Sequence, residues 1–593
     1  MLKFNLKIFI RKGYLMKKLI ALVTFMVMLC VPCSADDLSA ECENGTFVGV
    51  LSSDNIITWL GVPYAKSPTP PRRWKAPEAP EASTETFNAD TWSSMPIQQK
   101  GESRATGMMP QDEDCLYLNV WKASDDTVVA SRPVMVWIHG GSFRYNGTGE
   151  PEWTGRNIVA DNHDVIVVSV GYRLGLMGFI DFSAVDGGED FAESGNLGLL
   201  DVLQSLKWLK ANIAKFGGDP NNITVFGQSS GSALISLLMT MPEAQGLFQR
   251  TILQSGAISM SMARKSTTED ATLLAKKLLE LTGKSDMAGL MTVSSMDLQE
   301  ATAKLDGMLN FPERDGVVLS EDIYTAFATN AGNYDVLIGS NADEVNYFVA
   351  AVEDMSLDVF GKYVGTAYEQ IRAGAGSVPT YGEALVASMD KFIEIQGEAA
   401  PVWAYTEFLN ELLFRMPAIQ MASSHAGTGK TYMYYWNIPS VNPYVGELFG
   451  ACHGSEIPYV LDVPGLLVPV VDPTIRQAVQ GMWVDFARDG TITGHNMYTE
   501  ANRATIVISA DATVISEEND PLGEQRELIA PLLALNISGR DIINAMSGSA
   551  SEEDTNTNNT NNNLSGSSSG CNIGILPLML MMLVIPPAVA KRH

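Results

Sequence analysis

The stretch from Ile223 to Leu238 constrains the fold more than any other part of the chain. Ile223-Thr224-Val225-Phe226 is an apolar, strand-like run that passes directly into Gly227-Gln228-Ser229-Ser230-Gly231 and then into the helical Ser232-Ala233-Leu234-Ile235-Ser236-Leu237-Leu238. A strand that turns into a helix over so few residues needs a strained turn, and a glycine on each side of the serine leaves room for it. Such a turn lifts the central side chain above the end of a sheet, beside a helix N-terminus. The runs Val134-Met135-Val136-Trp137-Ile138, Val165 to Val170 and Val336-Leu337-Ile338-Gly339 are apolar throughout, as strands buried on both faces are. Between them, Leu199 to Phe216 repeats Leu199, Val202, Leu203, Leu206, Leu209 and Ile213 at roughly 3.6-residue spacing, ahead of a Gly217-Gly218-Asp219-Pro220 break. This alternation predicts an α/β fold, a mostly parallel central sheet flanked by helices.

The two ends differ from this body. Met16-Lys17-Lys18, the apolar run Leu19 to Val31 and Pro32-Cys33-Ser34-Ala35 have the basic, apolar and small-residue layout of a secretory signal. Residues 1–35 are therefore expected to be a signal peptide, with Met16 a second candidate start, and export is the expected fate. Residues 36–545 contain no second low-complexity linker and no repeat, and are expected to form one folded unit. Residues 546–570, nearly all Ser, Gly, Asn, Thr and acid, are expected to be a disordered tether. Residues 571–593 begin at Cys571, run through the apolar Ile573 to Ala590 and end in Lys591-Arg592-His593, which resembles a C-terminal sorting or anchor tail. The chain would then be at the cell surface or secreted, with a membrane contact through this tail.

Charge narrows the partners. With 40 Lys+Arg against 68 Asp+Glu the 593-residue chain carries −28, which repels phosphates, so nucleic acid is not an expected partner. Six His and six Cys, none as Cys-x-x-Cys, give no local metal-site spacing, and no metal or cofactor is implied.

Phe216-Gly217-Gly218, followed after four residues by Ile223-x-Val225-x-Gly227-x-Ser229-Ser230-Gly231, resembles the active-site signature of the type-B carboxylesterases. Glu113-Asp114-Cys115-Leu116-Tyr117-Leu118-Asn119-Val120 resembles that family's second signature. Gly61-Val62-Pro63-Tyr64-Ala65, Gly195 to Asp201 and Gln254-Ser255-Gly256 follow in family order, so the likeness covers roughly residues 42–535. It implies an α/β-hydrolase fold, a small-molecule ester substrate, and hydrolysis through an acyl-enzyme on Ser229. A serine hydroxyl needs an imidazole base, and the base needs a carboxylate to orient it, in chain order Ser, acid, His.

Gly450-Ala451-Cys452-His453-Gly454-Ser455-Glu456 resembles the family's catalytic histidine motif, which implies His453 as the base. Glu344, after the strand-like Val336 to Gly339, matches the acid position, 115 residues after Ser229 and 109 before His453. Val345 stands where a glycine often follows. His139-Gly140-Gly141-Ser142-Phe143 resembles the oxyanion loop, with the N–H groups of Gly141, Ser142 and Ser230 as donors and His139 structural. The family also implies a disulfide near Cys115, and Cys42 is the upstream cysteine left after signal cleavage; Cys452 is expected free.

Gly427-Thr428-Gly429-Lys430-Thr431 imitates a phosphate loop, but a strand-like run follows it where a helix is required, so it reads as a turn. The Met-rich stretches at 239–241 and 260–262 read as core or pocket lining. A lipase acting on long acyl chains, or an inactive hydrolase-fold binding module, are the alternatives. The cholinesterases of the resembled family hold a quaternary ammonium against a Trp in the loop before the second signature; here Ser93 to Asp114 carries Met108 and Met109 but no Trp, Tyr or Phe, so the resemblance implies a preference for neutral esters, expected to be of short to medium acyl length.

Overall fold

The computed structural model describes residues 38–99, 109–124, 131–258, 264–265, 268–305, 311–350, 387–388, 390–392, 394–395, 401–442, 449–510 and 514–534. The signal segment, the tether and the C-terminal tail expected from the sequence lie outside these residues. Among the described residues no helix is long and apolar enough to cross a membrane.

Among the described residues eleven strands form the central sheet. In chain order they are β1 (Val50–Leu51), β2 (Ile56–Pro63), β3 (Tyr117–Ala123), β4 (Arg132–Ile138), β5 (Ile166–Val170) and β6 (Gly218–Gln228), then β7 (Arg250–Gln254), β8 (Asp335–Asn341), β9 (Thr431–Asn437), β10 (Ala504–Ser509) and β11 (Ile515–Asn519). Their spatial order is β11-β10-β9-β8-β7-β6-β4-β5-β3-β2-β1. Neighbours from β5 across to β10 are parallel, and the antiparallel pairs are confined to the two edges. Because β4 lies between β5 and β6, the chain leaves β4 to one side and returns on the other. Parallel sheets open a crevice at the carboxyl ends of their strands at such a point.

Both faces of the sheet are covered, as the unbroken apolar strands demanded. Along β4, Val134, Val136 and Ile138 enter one core, while Met135 and Trp137 enter the other. The first core is filled by α1 (Leu197–Asn212), through Leu199, Val202, Leu203, Leu206 and Leu209, and by α2 (Ser230–Leu238). The second is filled by α6 (Pro473–Asp489), whose Val479, Trp483 and Phe486 are fully buried. The predicted Leu199–Phe216 helix appears as α1, continued by a 3-10 turn through Phe216 and ended by Gly217 at φ 88°. Between α1 and α6 lie α3 (Glu344–Ala350), α4 (Pro401–Asn410) and α5 (Met416–His425), the last two joined by a π-helical turn, Glu411–Arg415.

The expected Cys42–Cys115 disulfide is absent: both thiols are free, as is that of Cys452. The reason lies in α1. Cys42 ends a short edge strand near the C-terminal end of α1, where the N–H of the following Glu43 bonds Asn212 Oδ1 at 3.0 Å. Cys115 is buried near the other end, where Asp201 and Arg173 act on it. Eleven helical residues separate the two places, roughly 16 Å at the helical rise, whereas a disulfide needs Cα atoms within about 7 Å.

Candidate active site

Strand β6 delivers Ser229 into the turn before α2, with Ser229 at φ 57° and ψ −128°. A side chain held there carries strain of about 1–3 kcal/mol, so its surroundings must enforce it. They do so from two sides. Ser229 N–H donates to Gln254 O at 2.8 Å, and Gly256 packs so closely on Ser229 O that a Cβ would run into it. A Cβ on Gly231 would run into the carbonyls of Ile138 and His139, and one on Gly227 would sit 2.6 Å from Ile138 O. Both glycines around the serine are therefore required by the end of β4.

The loop after β4 lies directly on the serine: a Cβ on Gly140 would be 3.1 Å from Ser229 Cβ. Gly141, Ser142 and Phe143 run through positive φ (118°, 54° and 60°), so Ser142 holds a conformation that glycine would take without strain. Gly140 O accepts from Asn146 Nδ2 at 3.2 Å and lies 2.8 Å from His139 Nδ1, while Gly141 O accepts from the N–H groups of Arg144 and Tyr145. In a trans peptide the N–H points opposite the carbonyl. With both carbonyls engaged inside the loop, the N–H groups of Gly141 and Ser142 face outward.

His139 is buried between Trp153 and Tyr172, with ring centroids at 5.3 Å and 4.4 Å, and its Nδ1 is taken by Gly140 O. Burial pushes its pKa down to about 4, so it is neutral at physiological pH.

Glu344 and His453 come together from the ends of adjacent strands, β8 and β9. His453 Nδ1 and Glu344 Oε2 are 2.6 Å apart, and Glu344 Oε1 accepts from Asn341 N–H at 2.8 Å. The carboxylate thus holds the Nδ1 proton and leaves the Nε2 lone pair of the neutral ring for another donor. Among the described residues the partner of Nε2 is the Gln228 side-chain amide at 3.1 Å, not the Ser229 hydroxyl. Phe348, Phe414 and Tyr347 surround the imidazole with centroids at 5.0, 5.2 and 6.3 Å, forming an apolar wall.

The acid loop is clamped by residues no motif announced. Asn410, at the end of α4, accepts from Val345 N–H at 2.7 Å and donates to Ala342 O at 3.0 Å, which accounts for a loop shape held without the usual glycine. Asp343, adjacent to Glu344, accepts from Ala451 N–H at 2.8 Å and so fixes the histidine loop rather than the ring; burial raises its pKa. Behind Glu344, Asn341 donates to Glu456 Oε2 at 2.7 Å, and Gln254 Nε2 donates to Glu456 Oε1 at 3.1 Å. Burial, then the nearby Glu344, raises the Glu456 pKa.

The second signature is scaffold. Arg73 forms a bidentate pair with Glu113, at 2.7 and 2.5 Å, and also donates to Leu290 O and Val293 O. Asn119 joins Gly61 N–H to Ser169 Oγ across the sheet. Asp201 clamps Arg173 through three hydrogen bonds of 2.6–3.0 Å at the start of α1. The phosphate-loop imitation is a turn, closed by an Ala426–Gly429 bridge before β9. His425 bonds Thr431 and Ala331 within the core, away from this cluster.

A serine on a strained turn at the carboxyl edge of a parallel sheet, with a His–Glu pair beside it, defines an α/β-hydrolase. The profile described as the carboxylesterase family matches residues 37–520, and the chain belongs to that family. It is 32% identical over 504 residues to the para-nitrobenzyl esterase of Bacillus subtilis (strain 168), covering 81% of this chain and 96% of the relative. It is 29% identical to the fumonisin B1 esterase of Sphingopyxis macrogoltabida over 74% of this chain and 78% of that protein. The solved carboxylesterase of Geobacillus stearothermophilus superposes with a TM-score of 0.71 at 30% identity, covering 83% of this chain and 99% of that one. The protein is a carboxylic ester hydrolase.

Proposed function

We propose that the chain is an exported serine carboxylesterase in which Ser229 is the nucleophile, His453 the general base and then acid, and Glu344 the carboxylate that orients it. The observation that carries this reading is the 2.6 Å His453–Glu344 contact, with the other imidazole nitrogen turned to the nucleophile turn. Ser229 attacks the ester carbonyl as His453 Nε2 takes its proton. The same proton then goes to the departing alcohol, leaving an acyl group on Ser229. Water, activated by His453, releases the acid and restores the serine. The outward N–H groups of Gly141 and Ser142, with that of Ser230 at the start of α2, are proposed to bind the oxyanion.

The apolar wall of Phe348, Phe414 and Tyr347 supports neutral esters of short to medium acyl length. So does the loop 93–114, which has no aromatic side chain to hold a quaternary ammonium; residues 100–108 of it lie outside the described residues. The leading segment 1–35 and the tail 571–593 are proposed to export the enzyme and hold it at the cell surface, or release it there after processing.

A fluorophosphonate probe tests the reading, because only an activated serine in a formed oxyanion site reacts quickly. Rapid labelling at Ser229, abolished in Ser229→Ala, is expected, together with ready cleavage of p-nitrophenyl acetate and butyrate. An unlabelled wild type refutes the mechanism. A kcat/KM for butyrylcholine about tenfold above that for a matched neutral butyrate ester refutes the substrate class.

A further inference from the structure

The side chain that meets the base is not the one the chemistry needs. Gln228 and His453 are both buried, and Gln228 Nε2 lies 3.1 Å from His453 Nε2. Since Nδ1 carries its proton toward Glu344 Oε2, Nε2 of the neutral ring is an acceptor and the amide N–H is the donor. The amide is lodged between the two loops that build the site. A Cβ on Gly140 would be 3.2 Å from Gln228 Oε1, and one on Gly454 would be 3.7 Å from Gln228 Nε2. Its oxygen thus faces the oxyanion loop and its nitrogen the histidine loop.

We propose that Gln228 is a positioning residue that caps the base: its amide N–H occupies the Nε2 lone pair of His453 in the resting enzyme and yields it to the Ser229 hydroxyl when an ester binds. The inference rests on the Ser229–His453–Glu344 reading. Ser229 is the next residue in the chain, so the exchange asks only for side-chain rotation. No bond is made or broken by the exchange; the proton that moves afterwards is that of Ser229, from Oγ to Nε2.

Two consequences follow from the chemistry of the cap. The amide N–H and a proton need the same Nε2 lone pair, so the cap and the imidazolium exclude each other. The cap also competes with Ser229, so it restrains the nucleophile whenever the base is already neutral. The other groups facing the ring are Glu344, Tyr347 and Phe348 from α3, Phe414 from the π-helical turn, and Glu456 from the histidine loop itself. Of these, Glu344 contacts Nδ1, which leaves Gln228 as the side chain recorded at Nε2.

The test compares wild type with Gln228→Met, which fills similar volume without a donor, and Gln228→Glu, which offers a carboxylate instead. The readouts are fluorophosphonate labelling rate and kcat/KM for p-nitrophenyl acetate between pH 5 and 9. In Gln228→Met the acid limb is expected about half a unit to one unit higher, with labelling above the limb about two- to tenfold faster, so that the two profiles cross. In Gln228→Glu the limb is expected to rise by roughly one further unit, as a carboxylate favours the imidazolium. Limbs that coincide with wild type, with rates lowered by one factor at every pH, overturn the cap and leave Gln228 as packing. If Gln228→Met does not fold, Gln228→Leu, which also lacks a donor, takes its place, since a carboxylate would raise the limb with or without a cap. A wild type that the probe does not label marks failure of the serine mechanism, whereas a labelled wild type with unmoved limbs marks failure of the cap only.

Discussion

Ser229, His453 and Glu344 follow β6, β9 and β8, and the proposed mechanism makes each of them depend on the other two. Ser229→Ala and His453→Ala are each expected to lower turnover by at least roughly 10³-fold, and the double variant is expected to be little worse than either. Independent, multiplying losses in steady-state kinetics would show that the residues do not act as a unit. Asp343 holds Ala451 N–H while Glu344 holds the ring, so Glu344→Ala is expected to cost far more turnover than Asp343→Ala. The reverse ranking would move the acid to Asp343. His139 is expected to act on the pH dependence of stability. Its native value of about 4 is below the ordinary 6.5, so the native state binds its proton less readily than the unfolded chain does. Its contribution is complete above about pH 6.5 and is lost as the pH falls toward 4, to a total of roughly 3 kcal/mol. Chemical denaturation at pH 7 and pH 4.5 should show a smaller difference in His139→Gln than in wild type.

At the scale of elements, the two signatures separate into chemistry and joinery. The elbow between β6 and α2 was legible because strand, glycine turn and helix are local patterns; the structure starts the helix two residues early, at Ser230, and the strand five residues early, at Gly218, inside the expected Gly217–Pro220 break. The role of Glu113 was not, since its partner Arg73 is 40 residues away and nothing in either neighbourhood names the other. Asn410 is more extreme: an asparagine at the end of a helix gives no sign that it clamps a loop 65 residues earlier. A glycine missing after Glu344 did point to an altered loop, but only the packing of α4 supplies the compensation. The Arg73–Glu113 pair is buried, with side-chain exposures of 4% and 2%, so removing one partner strands the other charge. Arg73→Ala or Glu113→Ala is expected to lose about 3–5 kcal/mol in denaturant titrations, with kcat of the folded fraction nearly unchanged. A large fall in kcat at wild-type stability would give the second signature a chemical role.

The whole molecule was readable in outline, because long apolar strands alternating with an amphipathic helix allow few arrangements besides a covered parallel sheet. The proposed disulfide failed on a distance that no spacing in sequence contains, the length of α1 between the two cysteines. If the tail is an anchor, deleting residues 547–593 should leave kcat/KM intact and move activity from the membrane or wall fraction to the medium; identical fractionation of both forms would refute the sorting role. The failed disulfide has a use of its own. Cys42, Cys115 and Cys452 are thiols whose acidity burial suppresses, that of Cys42 to about 12, so they are poor nucleophiles while the fold is intact. Cys42 ends a strand of the small three-stranded sheet, Cys115 precedes β3 and Cys452 adjoins His453, so a thiol-reactive dye would time-stamp the opening of each district separately. Among the described residues the chain thus carries three native stopwatches for its own unraveling, read by mass as the dye's adduct at each cysteine.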